Sequence, residues 1–554
     1  MLAANLLKNP VFWEVAGWLA FLIVGGLFIA SDFRHRLSRW QQLGLLVVLV
    51  GLLVTNRLLL LFFNRELNPD ESQMLSQAIT LWHHPVYWRS TDGATMGPLS
   101  SYFASIPAYW GSALDYLAIR RTGFLCLLVS VITGYFTLEN FFRPRTARLA
   151  LLPGVAFLAF AYQLDFLHAT NEQLSLALLG LAFWQYSRLW KRQSFDSVSG
   201  LFVLGFICSL VPFAKLQGAP PALVIAAAAL IGLLGLRKRL DPAQFWVAFG
   251  GLLAGGLAFP LLVVFLTWQF EVFDDFLQFY LFGNLNYSAG ASFWDYLLRF
   301  PVYVYHNLDF LFFLIQSFAL LLGWVLFSEG RKKHNGLLIF ALASIITAGY
   351  AVIKPGNEFG HYLLYLIFPV CLLNAWLIDS LQAPFHTLVW VLLILVSIGI
   401  KSALQRGDLA KEPLNALRQQ PFGFRTLFVS TPAREILKYA RPGEDLVVWG
   451  WAPTYNIQTQ MPQGVADNHT IRCMLGSPEA QSRHRARYLR NIQTSRPPVF
   501  ADAVGPNSFW LNNRATQGYE NFPELKRFID ANYRYIGDVE NTRIYVRTDR
   551  YQQP

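Results

Sequence analysis

The chain has 554 residues, 54% of them hydrophobic and 16% aromatic, while only 14% are charged, against about 25% in an ordinary soluble protein. That deficit excludes a disordered chain, a fibre and a purely water-soluble enzyme. A formal net charge of +11 and four cysteines exclude a disulfide framework and leave nucleic acid open only until the charges are placed.

A membrane span needs roughly 20 mostly apolar residues. The sequence offers twelve candidates, at about 11–30, 41–63, 120–142, 147–164, 171–190, 199–214, 219–236, 245–267, 308–328, 336–353, 360–381 and 386–404. Two pairs share very short connections, so the range is eleven to thirteen. The predicted architecture is an all-α polytopic membrane bundle over 1–404, followed by an α/β domain over 405–554.

Arg34, Arg36 and Arg39 follow the first span; similar clusters are Arg143, Arg145 and Arg148, then Arg188, Lys191 and Arg192, then Arg237, Lys238 and Arg239, then Arg331, Lys332 and Lys333. These five clusters hold 15 of the 25 basic residues before position 405, and they follow alternate spans. Loops rich in Lys and Arg stay cytoplasmic. The amino terminus, the long loops 64–119 and 268–307, and the tail are therefore predicted to be extracytoplasmic. The positive charge is a topology signal plus a basic tail, and no nucleic-acid partner is called for.

The tail alternates helix and strand signals. Thr431 and Pro432 open a helix that closes before Gly443, and Ser477 and Pro478 open a second through about Ile492. Asp445 to Trp451 and Val499 to Val504 read as buried strands, Pro523 starts a short helix, and two strands follow around Gly537 to Glu540. Trp449, Trp451 and Tyr455 read first as core, with sugar stacking as the alternative.

Three constellations carry chemistry. The first is Asn68-Pro69-Asp70-Glu71-Ser72, where Pro69 suits a helix start with Asp70 and Glu71 in its first turn. Helix neighbours point about 100° apart, so one carboxylate can face a reacting hydroxyl while the other orients a partner. A plain acidic helix start is the other reading. The second is Asp165, His168, Asn171 and Glu172 in a short turn between two spans; it reads either as a functional site or as a solvated turn. A divalent metal ion held by Asp70, Asp165 and His168 is a further reading that no spacing singles out. The third is cationic: Arg89, Arg120, Arg121, Lys215, and Lys354 with His361 and Tyr362. Basic groups on the outer half suit an anionic ligand or snorkelling to lipid phosphates. Arg57 lies inside a span and is expected to face the bundle.

These motifs in this order resemble the GT-C membrane glycosyltransferases, especially the branch with the lipid A aminoarabinose transferase and the protein O-mannosyltransferases. The resemblance rests on Pro69-Asp70-Glu71, Gly97-Pro98-Leu99-Ser100-Ser101-Tyr102, Arg120-Arg121, Asn171-Glu172-Gln173-Leu174, Lys215-Leu216-Gln217-Gly218, Lys354 with His361-Tyr362-Leu363-Leu364 and Pro369, and Val447-Val448-Trp449-Gly450-Trp451. It spans roughly 41 to 455. The chain departs from the pattern in its extra first span, in Glu172 where Asp is commoner, and in Gln217 inside the Lys-Gly turn. The resemblance implies an inverting transfer of a sugar from a polyprenyl-phosphate donor, such as undecaprenyl phosphate, to a hydroxyl of a glycan, glycolipid or protein. It implies Asp70 as base, with Glu71 and Glu172 assisting. Lys215, Lys354, Arg89, His361, Tyr362 and Arg120 would face the donor phosphate, and Asp165 and His168 the acceptor or a metal. It also implies a bacterial inner membrane, with the active site and the tail facing the periplasm. Two rival classes are a transporter or flippase of lipid-linked sugars, which would place charges at mid-bilayer, and a scaffold of an envelope-assembly complex.

Overall fold

The computed structural model describes residues 9–34, 36–285, 292–327, 335–381 and 386–551. The predicted basic cluster Arg331, Lys332 and Lys333 lies outside the described residues. Among those described, nine helices are long and apolar enough to cross a membrane: Pro10–Asp32, Arg39–Phe62, Tyr116–Phe141, Leu216–Leu236, Pro242–Gln269, Leu308–Phe327, Asn335–Ile353, Gly360–Ser380 and Thr387–Leu404. The remaining three predicted spans are helices too. Pro144–Phe160 and Val198–Ala214 have 17 residues each, about 25 Å at a rise of about 1.5 Å per residue. Asn171–Arg192 is 22 residues long but carries Glu172, Gln173, Gln185, Arg188 and Lys191. The chain is an integral membrane protein.

The structure separates into two compact units. The first is drawn from residues 1–63, 123–263 and 288–423. Its helices begin where the sequence supplies a start: Asn9 caps the helix at Pro10, and Ser38 with Gln41 forms a capping box at Arg39. Phe21, Phe28, Leu49, Leu53, Phe310 and Cys371 are buried in its core. Helices Val198–Ala214 and Pro242–Gln269 cross with their backbones almost touching. A Cβ at Gly205 would stand 2.4 Å from Leu252 O, and one at Gly255 would stand 2.1 Å from Phe202 O. Small residues permit such crossings where lipid offers no hydrophobic drive between helices.

The second unit is drawn from 64–122, 264–287 and 424–554. Its centre is a sheet of order β1-β2-β4-β3, with β1 Leu446–Trp449, β2 Val499–Asp502, β3 Tyr533–Val539 and β4 Thr542–Arg547. β1 and β2 are parallel, in register Leu446↔Val499, and helix Pro478–Ser495 makes the crossover that parallel strands require. β4 runs antiparallel to both neighbours, with the β3–β4 turn at Glu540 and Asn541 in left-handed conformation. Alternate residues bury on opposite faces: Val447, Trp449 and Phe500 pack against Tyr488 and Ile492, and Leu446, Val499 and Ala501 pack with Ile436 and Tyr455. Helix Pro69–His83 also belongs to this unit.

Candidate functional site

In the second unit, the helix predicted at Pro69 starts there, with Asn68 Oδ1 accepting from Asp70 N at 2.9 Å. The two carboxylates of its first turn diverge. Glu71 is fully buried and clamped by Arg120, whose Nε reaches Oε1 at 2.7 Å and Nη2 reaches Oε2 at 2.6 Å. This two-pronged pairing is the geometry in which guanidinium and carboxylate bind most specifically. Arg120 also donates to Arg65 O at 2.5 Å and stands over the Tyr116 ring. Asp70 is half-buried. A relay holds the helix further down: Ser72 Oγ contacts Glu66 Oε2 at 2.5 Å and the Tyr116 hydroxyl at 2.7 Å, which reaches Thr454 Oγ1 at 2.9 Å. Burial raises the Glu66 carboxyl above its usual range.

In the first unit, Asp165, His168, Glu172, Lys215, His361 and Tyr362 come together. Lys215 ends its helix in an extended conformation before Pro220 and Pro221 open the next one. Its Nζ lies 3.0 Å from Glu172 Oε1 and 5.5 Å from the centre of the Tyr362 ring. The glycine of the Lys215–Gly218 turn is a packing requirement, since a Cβ there would stand 2.4 Å from Ser175 Oγ. Asp165 Oδ2 accepts from Gly360 N at 2.7 Å, and Oδ1 lies 3.9 Å from His361 Nδ1. Burial works against the charge on Asp165, but the hydrogen bond and charge of His361 outweigh it and hold the carboxyl below the usual carboxylate range. The rings of His168 and His361 meet edge to face at 5.5 Å.

Several polar atoms here are buried with no hydrogen-bond partner among the described residues: His168 Nε2, Asn171 Oδ1, and both ends of the Gln217 amide. Buried polar groups are nearly always satisfied by protein or ordered water, so this cluster has capacity for water or a ligand. His168 Nδ1 is already engaged with Leu164 O at 2.8 Å, the second contact that orients a ligating imidazole. The donor set of two imidazoles and nearby carboxylates fits a divalent ion. An apolar cavity in the same unit is lined by Leu127, Val131, Leu176, Phe183 and Phe368.

The other predicted residues are more scattered. Arg89 is exposed in the second unit and donates to Phe270 O at 2.5 Å. Lys354 is half-buried just beyond helix Asn335–Ile353. Arg57 faces the bundle, as expected, with its Nε on Leu158 O at 2.7 Å. Trp449, Trp451 and Tyr455 are core residues, 1%, 6% and 3% exposed. Sequence reasoning passed over Asp309 and Lys401, which form a buried ion pair at 2.7 Å; a lone acid and a lone base inside two apolar runs were the available signal. It also passed over Arg487, which ties Asp92 and Asp467 together at 2.7 Å each.

No protein-family profile matches the sequence, and no curated protein matches it. Among solved structures, the chain is similar to ArnT from Cupriavidus metallidurans in the apo state, at 13% identity over 91% of this chain and 97% of that one, with a TM-score of 0.50. It is also similar to the Archaeoglobus fulgidus oligosaccharyltransferase in the apo form, at 10% identity over 92% of this chain and 75% of that one, with a TM-score of 0.43. ArnT is a lipid A aminoarabinose transferase, and this chain has the fold of the GT-C membrane glycosyltransferases.

Proposed function

We propose that the protein is an inverting glycosyltransferase that moves a sugar from a polyprenyl-phosphate donor to a hydroxyl of a glycan, glycolipid or protein. The proposed setting is the outer face of a bacterial inner membrane, with the tail in the periplasm. The observation that carries the reading is the set of polar atoms left over around Glu172 and Lys215. Helix Pro69–His83 adds a division of labour: Glu71 is buried and locked to Arg120, whereas Asp70 is half-buried and is the carboxylate proposed to meet a substrate.

In the reaction, Asp70 takes the acceptor hydroxyl proton as the oxygen bonds to the anomeric carbon. The bond from that carbon to the phosphate oxygen breaks, and polyprenyl phosphate leaves with the electron pair. A phosphate leaving group needs no proton if cations balance its charge. Lys215 is the principal candidate, with Lys354, Arg89 and His361 as further cations and Tyr362 supporting; Arg120 acts through its clamp on Glu71. Glu172 sets the position of Lys215, and Glu71 fixes the turn that carries Asp70. Asp165 and His168 serve the acceptor. A divalent ion would take His168, His361 and a carboxylate, and would supply positive charge to the phosphate. The apolar cavity suits part of a lipid chain.

The test is sugar transfer by the purified protein from a synthetic polyprenyl-phosphate sugar, comparing parent and Asp70→Asn at equal folded amounts. Losing a general base costs about 10²–10⁴-fold in rate. Transfer by Asp70→Asn near the parent rate rejects Asp70 as the base.

A further inference from the structure

In open α/β sheets, ligands gather outside the carboxyl ends of parallel strands. In the second unit that edge lies just past Trp449 of β1 and Asp502 of β2. The two loops leaving it are joined: Trp451 N donates to Ser508 Oγ at 2.7 Å, and Phe509 N donates to Trp451 O at 3.1 Å. They carry an aromatic cluster. Trp510 stacks on Phe509 with ring centroids 5.2 Å apart and planes 19° apart, and Trp451 meets Trp510 edge-on at 5.7 Å. His469 lies 4.5 Å from Trp451, with its ring tilted 33° to the indole.

Three features separate this cluster from ordinary core. Trp510 is 49% exposed, whereas Trp451 beside it is 6% exposed. Trp510 has φ +62°, a left-handed backbone that is costly for a bulky side chain and that persists where surrounding structure imposes it, often at ligand sites. Trp451 Nε1 and His469 Nδ1 are buried and have no hydrogen-bond partner among the described residues. Burial, with the charge of Arg472, pushes His469 down to about 4, so its ring is neutral at neutral pH. Neutral ring nitrogens near an exposed indole match an uncharged, hydroxyl-rich ligand better than a phosphate.

We propose that Trp510, braced by Phe509, is the platform of a carbohydrate-binding subsite at the carboxyl edge of β1 and β2. The apolar face of a sugar ring lies on the indole, and ring hydroxyls or the water they hold answer Trp451 Nε1 and His469 Nδ1. Anchoring in the membrane interface is the other use of an exposed indole, and the test separates the two.

The full-length protein in lipid nanodiscs is presented with cellotetraose, chitotetraose and mannotetraose, and magnetisation transfer from protein to sugar protons is read by NMR. At least one probe is expected to receive transfer at its ring protons. The signal is expected to fall roughly tenfold in Trp510→Ala and to be largely kept in Trp510→Phe, since stacking survives on any aromatic face. Absence of transfer to all three probes, or an equal signal in Trp510→Ala, overturns the subsite and assigns Trp510 to the bilayer. Sugar binding that persists while every transfer assay fails would overturn the transferase reading alone.

Discussion

Two buried ion pairs in the membrane unit make an instructive contrast. Asp309 and Lys401 are each held by further bonds to the backbone. Asp309 Oδ2 accepts from Tyr162 N at 3.0 Å and Gln163 N at 2.8 Å, while Lys401 also donates to Phe160 O and faces the Tyr162 ring at 4.0 Å. Glu172 and Lys215 are equally buried and sit 3.0 Å apart, and Lys215 Nζ otherwise faces the Tyr362 ring at 5.5 Å. The lesson is that burial and pairing alone do not mark a site. What differs is the pair itself: Asp309 and Lys401 take further bonds from the backbone, whereas Lys215 Nζ meets Glu172 and the Tyr362 ring.

The contrast can be broken by mutation. The largest effect is expected for Asp309→Asn. Removing one partner of a buried pair leaves an uncompensated charge, at a cost of about 3–5 kcal/mol. Thermal stability in lipid nanodiscs should fall accordingly, while transfer per folded molecule stays near the parent value. A stable but inactive Asp309→Asn would make the closed pair part of the chemistry. Lys215→Ala should act mainly on the donor, lowering kcat/KM for the lipid-linked sugar by about 10²–10³-fold, the scale for losing one electrostatic stabiliser of a developing anion. An unchanged donor dependence would remove Lys215 from the phosphate site.

Paired replacement sharpens the comparison. Replacing a whole buried pair by neutral groups of similar size is often neutral or stabilising. Asp309→Asn with Lys401→Met should therefore recover both stability and transfer. Glu172→Gln with Lys215→Met should recover stability only. Transfer restored in the second double variant would make the two pairs equivalent and contradict the distinction drawn between them.

The smallest effect concerns Asp502 at the end of β2. Burial pushes its carboxyl up to about 6, against the pull of Arg514 and Arg543. A raised carboxyl holds its proton more tightly in the folded state. Its stabilising contribution is thus full below the unfolded value of about 3.9 and is lost as pH rises to the folded value, at about 1.4 kcal/mol per unit. Asp502→Asn, which cannot ionise, should gain about 1–3 kcal/mol on the parent between pH 4 and pH 7, as read by thermal unfolding. A difference that does not change with pH would show that Asp502 is ionised throughout.

Much of the fold was legible in the sequence. Apolar run lengths located the helices, and alternation with turn residues located the strands of the tail: Asp445–Trp451 contains β1, Val499–Val504 contains β2, and the turn near Glu540 joins β3 to β4. The start at Pro69 was readable because Asn68 and Pro69 are local signals. The partnerships were not readable. Glu71 meets Arg120, Glu172 meets Lys215, and Asp309 meets Lys401 across long stretches of chain, and helix packing rather than spacing decides such pairs. Trp510 was hidden for a different reason. It is an exposed, left-handed residue in a loop, which neither propensity nor periodicity reports. The twelve-span expectation meets nine helices with the length and apolarity to cross alone among the described residues, because two of the others are short and one carries polar residues at both ends.

The central claim is that this fold transfers a sugar in the cell envelope with Asp70 as base. Envelope glycans and glycolipids should be compared by mass spectrometry between cells carrying the gene, cells lacking it, and cells carrying the Asp70→Asn allele at equal protein level. The account predicts that one sugar substituent disappears in the deletion and in the Asp70→Asn strain alike. Identical glycan and glycolipid profiles in all three would contradict it.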